Sequence, residues 1–595
     1  MTLSGAKTGR AGTFSGWGGD MTGSKTPFTT ISATGNPNID GVLSNNAWSG
    51  GALTYAFPAT RADYDYDDLS GSFFPVSPQQ VAAALFVMEQ SSGNAADDGF
   101  SLEGFTLLDL RRGSPTDATL RFAGTDTANP TAFAFYPGPS SVSGDIWFGD
   151  GYAGTDFDYL KPKAGNYAWH TLVHELGHAL GLKHGHEAEM NAALPRGMDS
   201  VEFTVMTYKA YIGASVEDGY SYGAYDAPQT FMALDIAALQ TMYGADYSVM
   251  SGDTVYRWTP KTGATIIDGQ TTISPGANKI FATLWDGGGR DTFDLTAYKT
   301  NLSIDLRAGG FSVFDKAQLA DLGGGPNGGH ARGNIFNALL HDGNTASLIE
   351  NVNAGSGNDR IVGNEVANFL AGNGGKDTLF GLNGDDILLG GAGADALDGG
   401  NGLDTASYLD ATAGITASLL KPSGNKGFAA GDTFKSIENI TGSAFADTLT
   451  GDNAANRLDG SKGNDKLSGG NGNDTLIGGA GSDILTGGAG ADTFVYASWT
   501  ESQTATKLRD TITDFSSSSG DRIDLSGIDA NLLLDGVQHF SFIGASTFTK
   551  TGGELRFASL KSTTYVYGDL DGDGKSDLVL YFDDRLTLQA GDFIV

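Results

Sequence analysis

The 595-residue chain contains no cysteine, which excludes disulfide staples and thiolate metal sites together. No apolar run approaches the roughly 18 residues that a membrane-spanning helix needs, so no membrane span is predicted. The opening residues, MTLSGAKTGRAGTFSGWGGD, hold no apolar core of signal-peptide length, so export is expected by another route. Positive charge is scarce: 36 Lys and Arg stand against 70 Asp and Glu, a formal charge of −34. Such a surface repels nucleic acid and anionic membranes and suits hard cations, calcium above all. Whatever staples this fold must be something other than sulfur.

Histidine is also rare, with eight in the chain, yet His170, His174, His178, His184 and His186 fall within seventeen residues. Residues 174–184 read HELGHALGLKH, an instance of H-E-x-x-H-x-x-G-x-x-H. On a helix His174 and His178 project from one face and can reach one metal ion. Glu175 lies too close to the first ligand to be a comfortable ligand itself and is well placed to take a proton from water at the metal. Gly181 lets the chain leave the helix through a conformation costly for other residues, and the turn delivers His184 as the third nitrogen. Three neutral nitrogens leave one coordination position open, which marks a catalytic rather than a structural zinc site. His170 and His186 are read as neighbours of the ligand set, with His186 a competitor for the place of His184.

At this length several domains are expected. Ser77 and Pro78 before QQVAAALFVMEQ predict a capped helix, and FMALDIAALQTMYGA (231–245) predicts another. ATLRFA (118–123), AFAFYPG (132–138) and GDIWFGD (144–150) predict short strands ahead of the histidine helix. Together they point to an α+β domain with a cleft.

Beyond residue 248 glycine and aspartate take over. From Ala354 a period of nine residues runs six times without slipping, in the form G-G-x-G-x-D-x-U-x with U apolar. Six more repeats start at Gly442. The sixth positions are Asp359, Asn368, Asp377, Asp386, Asp395 and Asp404, then Asp447, Asn456, Asp465, Asp474, Asp483 and Asp492. The eighth positions are apolar in every repeat, from Ile361 to Phe494. This pattern predicts an all-β parallel β-roll in which aspartates and turn carbonyls hold calcium between successive turns. Besides the aspartates, candidate calcium-site residues are the turn glycines Gly355, Gly357, Gly372, Gly374, Gly391, Gly393, Gly400 and Gly402, and in the second block Gly470, Gly472, Gly479, Gly481, Gly488 and Gly490. Folding is then coupled to calcium, because a row of bare carboxylates repels itself. IENV (349–352) and IENI (437–440) stand 88 residues apart, as do Asp359 and Asp447. An internal duplication of the calcium-repeat module accounts for this spacing.

The zinc string followed by TVMTY (204–208) resembles the serralysins, the secreted branch of the metzincin metalloproteases that carries RTX calcium repeats. ALTYAF (52–57), GDIWF, GDTVY (252–256) and WDGGGRDTFDL (285–295) resemble serralysin segments too, so the likeness runs from about Ile39 to the terminus. It implies a metzincin catalytic domain, one catalytic Zn2+ and several structural Ca2+ ions. It further implies that Met206 forms the methionine turn under the metal, and that Tyr208 is a zinc ligand able to swing away and stabilise the transition state. Calcium ligands are implied at Asp253, Asp286, Gly288, Gly289, Asp291 and Glu350. The chain departs from the pattern after the third histidine, where Gly185-His186 stands in place of the usual proline. That leaves the local loop open, and the doubling of the calcium module, a second departure, leaves the calcium count open.

The resemblance also implies an N-terminal propeptide within residues 1–38, a catalytic domain over 39–248, and a β-rich region with the first repeats over 249–407. Connecting strands and the second repeats follow over 408–495, then a β cap over 496–595. The final DFIV is similar to the terminus read by type I secretion systems in that family. GDLDGDGKSD (568–577) resembles a calcium loop but has Leu580 where the twelfth-position glutamate belongs. The expected protein is a monomeric, extracellular, calcium-stabilised zinc endopeptidase acting on protein and peptide substrates. Its expected partners are the type I machinery and, as the family allows, a small proteinaceous inhibitor. The competing reading is a calcium-dependent cell-surface or adhesion protein with an inactive protease-like half.

Overall fold

The computed structural model describes residues 26–50, 52–64, 71–88, 98–217 and 219–595. Residues 1–25 of the expected propeptide lie outside the described residues, as do Glu89 and Gln90 of the expected helix. The chain divides into two compact units, residues 1–351 and 352–595. Residues 249–351 thus group with the segment that carries the histidine string.

In the first unit, strands Ala52–Ala56, Asp109–Arg112, Leu120–Thr125 and Asp145–Phe148 pair in parallel. Phe73–Pro75 and Ala132–Ala134 add antiparallel strands. Ala132–Ala134 is an edge of this six-stranded sheet. Helix Tyr167–Leu180 packs against that edge strand, and helices Pro78–Met88 and Ala233–Tyr243 complete the surroundings. The three strands and two helices expected around the histidine string are thus found in place. The rest of this unit is β-rich, built around Tyr256, Trp258, Phe293 and Tyr298, all fully buried.

The second unit is governed by its period. Leu370 pairs with Leu388 and Leu379 with Leu397, all in parallel strands. The register therefore advances by two nonapeptides, and successive repeats alternate between two sheets, the arrangement of a parallel β-roll. One sheet carries an unbroken ladder through Leu370, Leu388, Ala406, Ile440, Leu458, Leu476, Phe494, Ile523 and Phe593. The other sheet is interrupted. Its first part ends where Leu397 pairs with Phe434, and a new one starts where Ala417 pairs with Leu449. Residues 408–438 are therefore a detour on one face, while the opposite face continues from block to block.

All twelve eighth-position side chains, from Ile361 to Phe494, are at most 2% exposed. Full burial of one such aliphatic side chain contributes about 1.5–3 kcal/mol. The ladder is narrow, however, because alternate residues face outward. Strands Glu554–Ser559, Thr564–Asp569 and Leu578–Phe582 close the unit as an antiparallel meander. Phe593 of the terminal DFIV is itself a ladder residue. Among the described residues, no helix is long and apolar enough to cross a membrane.

Candidate metal centre

Helix Tyr167–Leu180 begins at Asn166, whose side chain accepts the Trp169 N–H, and ends at Gly181 in the left-handed region, φ 107°. A Cβ at Gly181 would also stand 2.4 Å from the Asn46 carbonyl oxygen, so glycine is required twice over. From there Lys183 N–H bonds the Val42 carbonyl at 2.8 Å, which fixes the exit direction and brings His184 back over the helix.

The three predicted nitrogen ligands converge. His184 Nε2 lies 2.9 Å from His178 Nε2 and 3.2 Å from His174 Nε2. A tetrahedral zinc ion with about 2.0–2.1 Å bonds to nitrogen separates its ligands by about 3.3 Å. Each opposite nitrogen is already engaged. His174 Nδ1 faces the Val205 carbonyl at 2.7 Å, His178 Nδ1 the Leu182 carbonyl at 2.8 Å, and His184 Nδ1 the Glu187 carboxylate at 2.9 Å. These acceptors place the proton on Nδ1 and leave three Nε2 lone pairs aimed at one point. Burial holds all three imidazoles below the usual histidine range, His174 at about 4. Three buried neutral nitrogens facing one another repel unless a cation lies between them, so the donor set fits zinc.

Glu175 is buried beside these ligands. Burial pushes its carboxyl up to about 8, and Oε2 has no hydrogen-bond partner. The Tyr208 ring lies 4.4 Å from that of His184 and stacks on that of His174 at 5.9 Å. The structure thus brings Glu175 and Tyr208 to the three histidines. Met206 is fully buried beneath: a Cβ on Gly177 of the helix would meet its sulfur at 2.6 Å. His170 is no ligand. Its Nε2 faces the same Val205 carbonyl at 3.2 Å, and its Nδ1 lies 2.7 Å from the Tyr222 hydroxyl.

The sequence reading missed the residues that hold this arrangement. Asp235, buried at the start of helix Ala233–Tyr243, accepts N–H bonds from Val205 at 2.7 Å and Met232 at 3.0 Å, and another from the Thr204 hydroxyl. It therefore sets the position of the Val205 carbonyl that orients His174. Asp235→Ala is expected to weaken zinc binding by about 10–100-fold, measured by competition against a chromogenic chelator; unchanged affinity would remove Asp235 from this account. Lys183 is buried, with Nζ donating to the carbonyls of Gly41, Glu187 and Ala192 at 2.7, 2.7 and 3.1 Å. Those bonds pin the loop in which Gly185-His186 replaces proline.

The calcium candidates form two groups. In the first unit Asp286, Asp291 and Glu350 come together: Asp291 N–H donates to Glu350 Oε2 at 2.8 Å, and Gly288 N–H to Asp286 Oδ1 at 2.7 Å. Asp253 joins them by accepting the Arg290 N–H at 3.0 Å. Burial and mutual repulsion raise the three clustered carboxyls. Asp291 Oδ2 is buried without a partner.

In the second unit eight of the ten sixth-position aspartates reach back one turn of the roll. Asp377 Oδ1 accepts the Asp359 N–H, Asp395 that of Asp377, Asp465 that of Asp447, and Asp483 that of Asp465, at 2.7–2.8 Å. The other oxygen, Oδ2, is buried without a partner in Asp377, Asp386, Asp395, Asp404, Asp465, Asp474, Asp483 and Asp492. Glycine makes the space beside it: a Cβ at Gly372 or Gly460 would lie 2.4 or 2.5 Å from the Oδ2 of Asp377 or Asp465. A row of unpaired carboxylate oxygens set among turn carbonyls fits calcium. Four acidic residues outside the repeats finish the rows. Asp432 and Glu438 accept from Asp395 and Asp404 N–H in the first block, Asp510 and Asp521 from Asp483 and Asp492 N–H in the second. Glu438 could have been found in the sequence, since it stands 88 residues after Glu350 in the matching IEN segment. The Asp569, Asp571 and Asp573 carboxylates also cluster, but Lys575 Nζ takes Asp573 at 2.7 Å.

A family model described as Peptidase M10 serralysin C terminal matches residues 245–420 and 451–595, more than half of the chain. The chain belongs to the serralysin family. It is 31% identical over 334 residues to serralysin G of Dickeya chrysanthemi, covering 54% of this chain and 62% of that protein. Metallopeptidase AprA of Pseudomonas marginalis is 30% identical over 340 residues, with 53% and 61% covered. Serralysin of Proteus mirabilis is 34% identical over 256 residues, with 42% and 45% covered. The chain spans about three-fifths of the length of the first two of these serralysin-family relatives.

Proposed function

We propose that this chain is an exported zinc endopeptidase whose second unit is folded and held by calcium. One observation carries the reading: three imidazole Nε2 atoms meet at a point while each Nδ1 is fixed by an acceptor. His174, His178 and His184 would hold the zinc, with Tyr208 as a further, displaceable ligand. Bound there, zinc supplies a Lewis acid that polarises a peptide carbonyl and acidifies water. Glu175 takes the proton from the attacking water on Oε2 and returns it to the leaving amine. Tyr208 donates to the developing oxyanion from its place against His184. The unpaired side of Ala132–Ala134 offers backbone groups to a substrate peptide bound in extended form. Peptide substrates are therefore read by main chain as well as by side chain.

In the roll, the unpartnered aspartate oxygens take calcium together with carbonyls of the glycine turns. The module is duplicated: Glu350 and Glu438 accept equivalent N–H bonds, from Asp291 and Asp404. At the end of the first block the buried Tyr408 donates to Asp432 at 2.9 Å; Tyr496, 88 residues on, is buried beside Asp510, whose charge adds to burial in raising its phenol. Acidic composition and calcium dependence suit export into calcium-rich surroundings.

Cleavage of casein tests the peptidase reading against that of an inactive surface protein. Activity is expected to disappear on removal of zinc with a chelator, calcium being kept saturating, and to return on adding zinc. No cleavage in the zinc-loaded protein would contradict it.

A further inference from the structure

The loop that departs from the family pattern, Gly185-His186-Glu187, carries two unpartnered polar atoms on neighbouring residues. His186 Nδ1 and Glu187 Oε2 are both shut off from solvent with no hydrogen-bond partner. Donor atoms of His184, His186 and Glu187 all lie within 4.8 Å of one another. One ion with bonds of about 2.0–2.1 Å holds its ligands at most about 4.2 Å apart, so His186 and Glu187 need to close by less than an ångström. The side chain of His186 is partly exposed and can make that adjustment, and its exposed side gives a cation entry. Its ring stacks on that of His184 at 5.4 Å and lies 5.1 Å from that of Tyr208.

We propose that His186 Nδ1 and Glu187 Oε2 form a second, weaker site for a transition-metal cation, beside the catalytic zinc and inhibitory when filled. The proposal rests on the zinc-peptidase reading and adds a regulator to it. An imidazole and a carboxylate suit zinc or copper better than calcium, which takes oxygen ligands. The ion satisfies both unpartnered atoms at once. It also draws the carboxylate away from His184 Nδ1, which then loses the acceptor that orients it, and it crowds Tyr208. Zinc in excess of one equivalent therefore slows the enzyme that the first equivalent activates.

The test uses the full chain with saturating calcium, which fills the all-oxygen sites, and zinc alone as the probe. Bound zinc per chain is measured by equilibrium dialysis and elemental analysis across a titration. Wild type is expected to take one tight equivalent and then a second, weaker one. His186→Ala and His186→Gln keep the first and lose the second, and excess zinc slows casein cleavage by wild type only. A single equivalent in wild type, or two in both variants, overturns the proposal and leaves the peptidase reading intact. A wild-type chain with no tight zinc overturns that reading and this proposal together.

Discussion

Glu175→Gln is expected to keep zinc at one tight equivalent and to lose proteolysis by about 10²–10⁴-fold, the usual contribution of a positioned general base. The change removes the proton acceptor and little else. Glu175 Oε2 has no partner to lose, and the three histidines take their orientation from Val205, Leu182 and Glu187. The amide fills the space of the carboxylate, so packing around helix Tyr167–Leu180 is preserved. The loss should fall on kcat, because the interaction is made in the transition state and not with bound substrate. A variant that binds zinc normally and cleaves casein at the wild-type rate would refute the assignment of Glu175.

Removing calcium at neutral pH is expected to unfold the second unit, seen as loss of its β-sheet circular dichroism, while acid partly rescues it. Burial, reinforced by neighbouring carboxylates, pushes Asp377, Asp386 and Asp465 up to about 7 in the metal-free fold. A carboxyl whose pKa is raised by folding binds more protons folded than unfolded, so stability falls as pH rises. That stabilisation is complete below the unfolded value of about 3.9. It is gone above about 7, where the folded-state carboxyls ionise. The calcium-free protein should therefore melt at a higher temperature at pH ~5 than at pH ~8. With calcium the order reverses, because the ion binds the ionised carboxylates and protons compete with it. Melting temperatures at the two pH values, with and without calcium, check all four conditions. The same order with calcium as without it would mean that these oxygens do not bind the ion.

Both candidate metal sets were legible in the sequence where their geometry is local. His174 and His178 share a face because they are four apart on a helix, and Gly181 announces the turn that returns His184. The nonapeptide period places an Asp or Asn and an apolar side chain at fixed points of every repeat, so the ladder and the row of acidic side chains follow from counting. The supporting residues were not legible, since their roles arise from contacts between distant segments. Asp235 reaches Val205 across 30 residues and Asp432 reaches Asp395 across 37, and neither belongs to a motif. Glu187 stands three residues after the string, but the turn that brings its carboxylate to His184 is set by Lys183 and the carbonyls around it. Nor could the period reveal that residues 408–438 interrupt one sheet and leave the other continuous, because that depends on which strands pair.

The central claim is that the histidine cluster hydrolyses peptide bonds, and mass spectrometry of peptides released from a mixed proteome tests it most directly. Wild type, loaded with one equivalent of zinc and saturated with calcium, should generate many new N-termini, and the residues flanking them would define its cleavage preference. Glu175→Gln under the same conditions should generate none above background. New termini at equal abundance from both proteins, or none from either, would contradict the account.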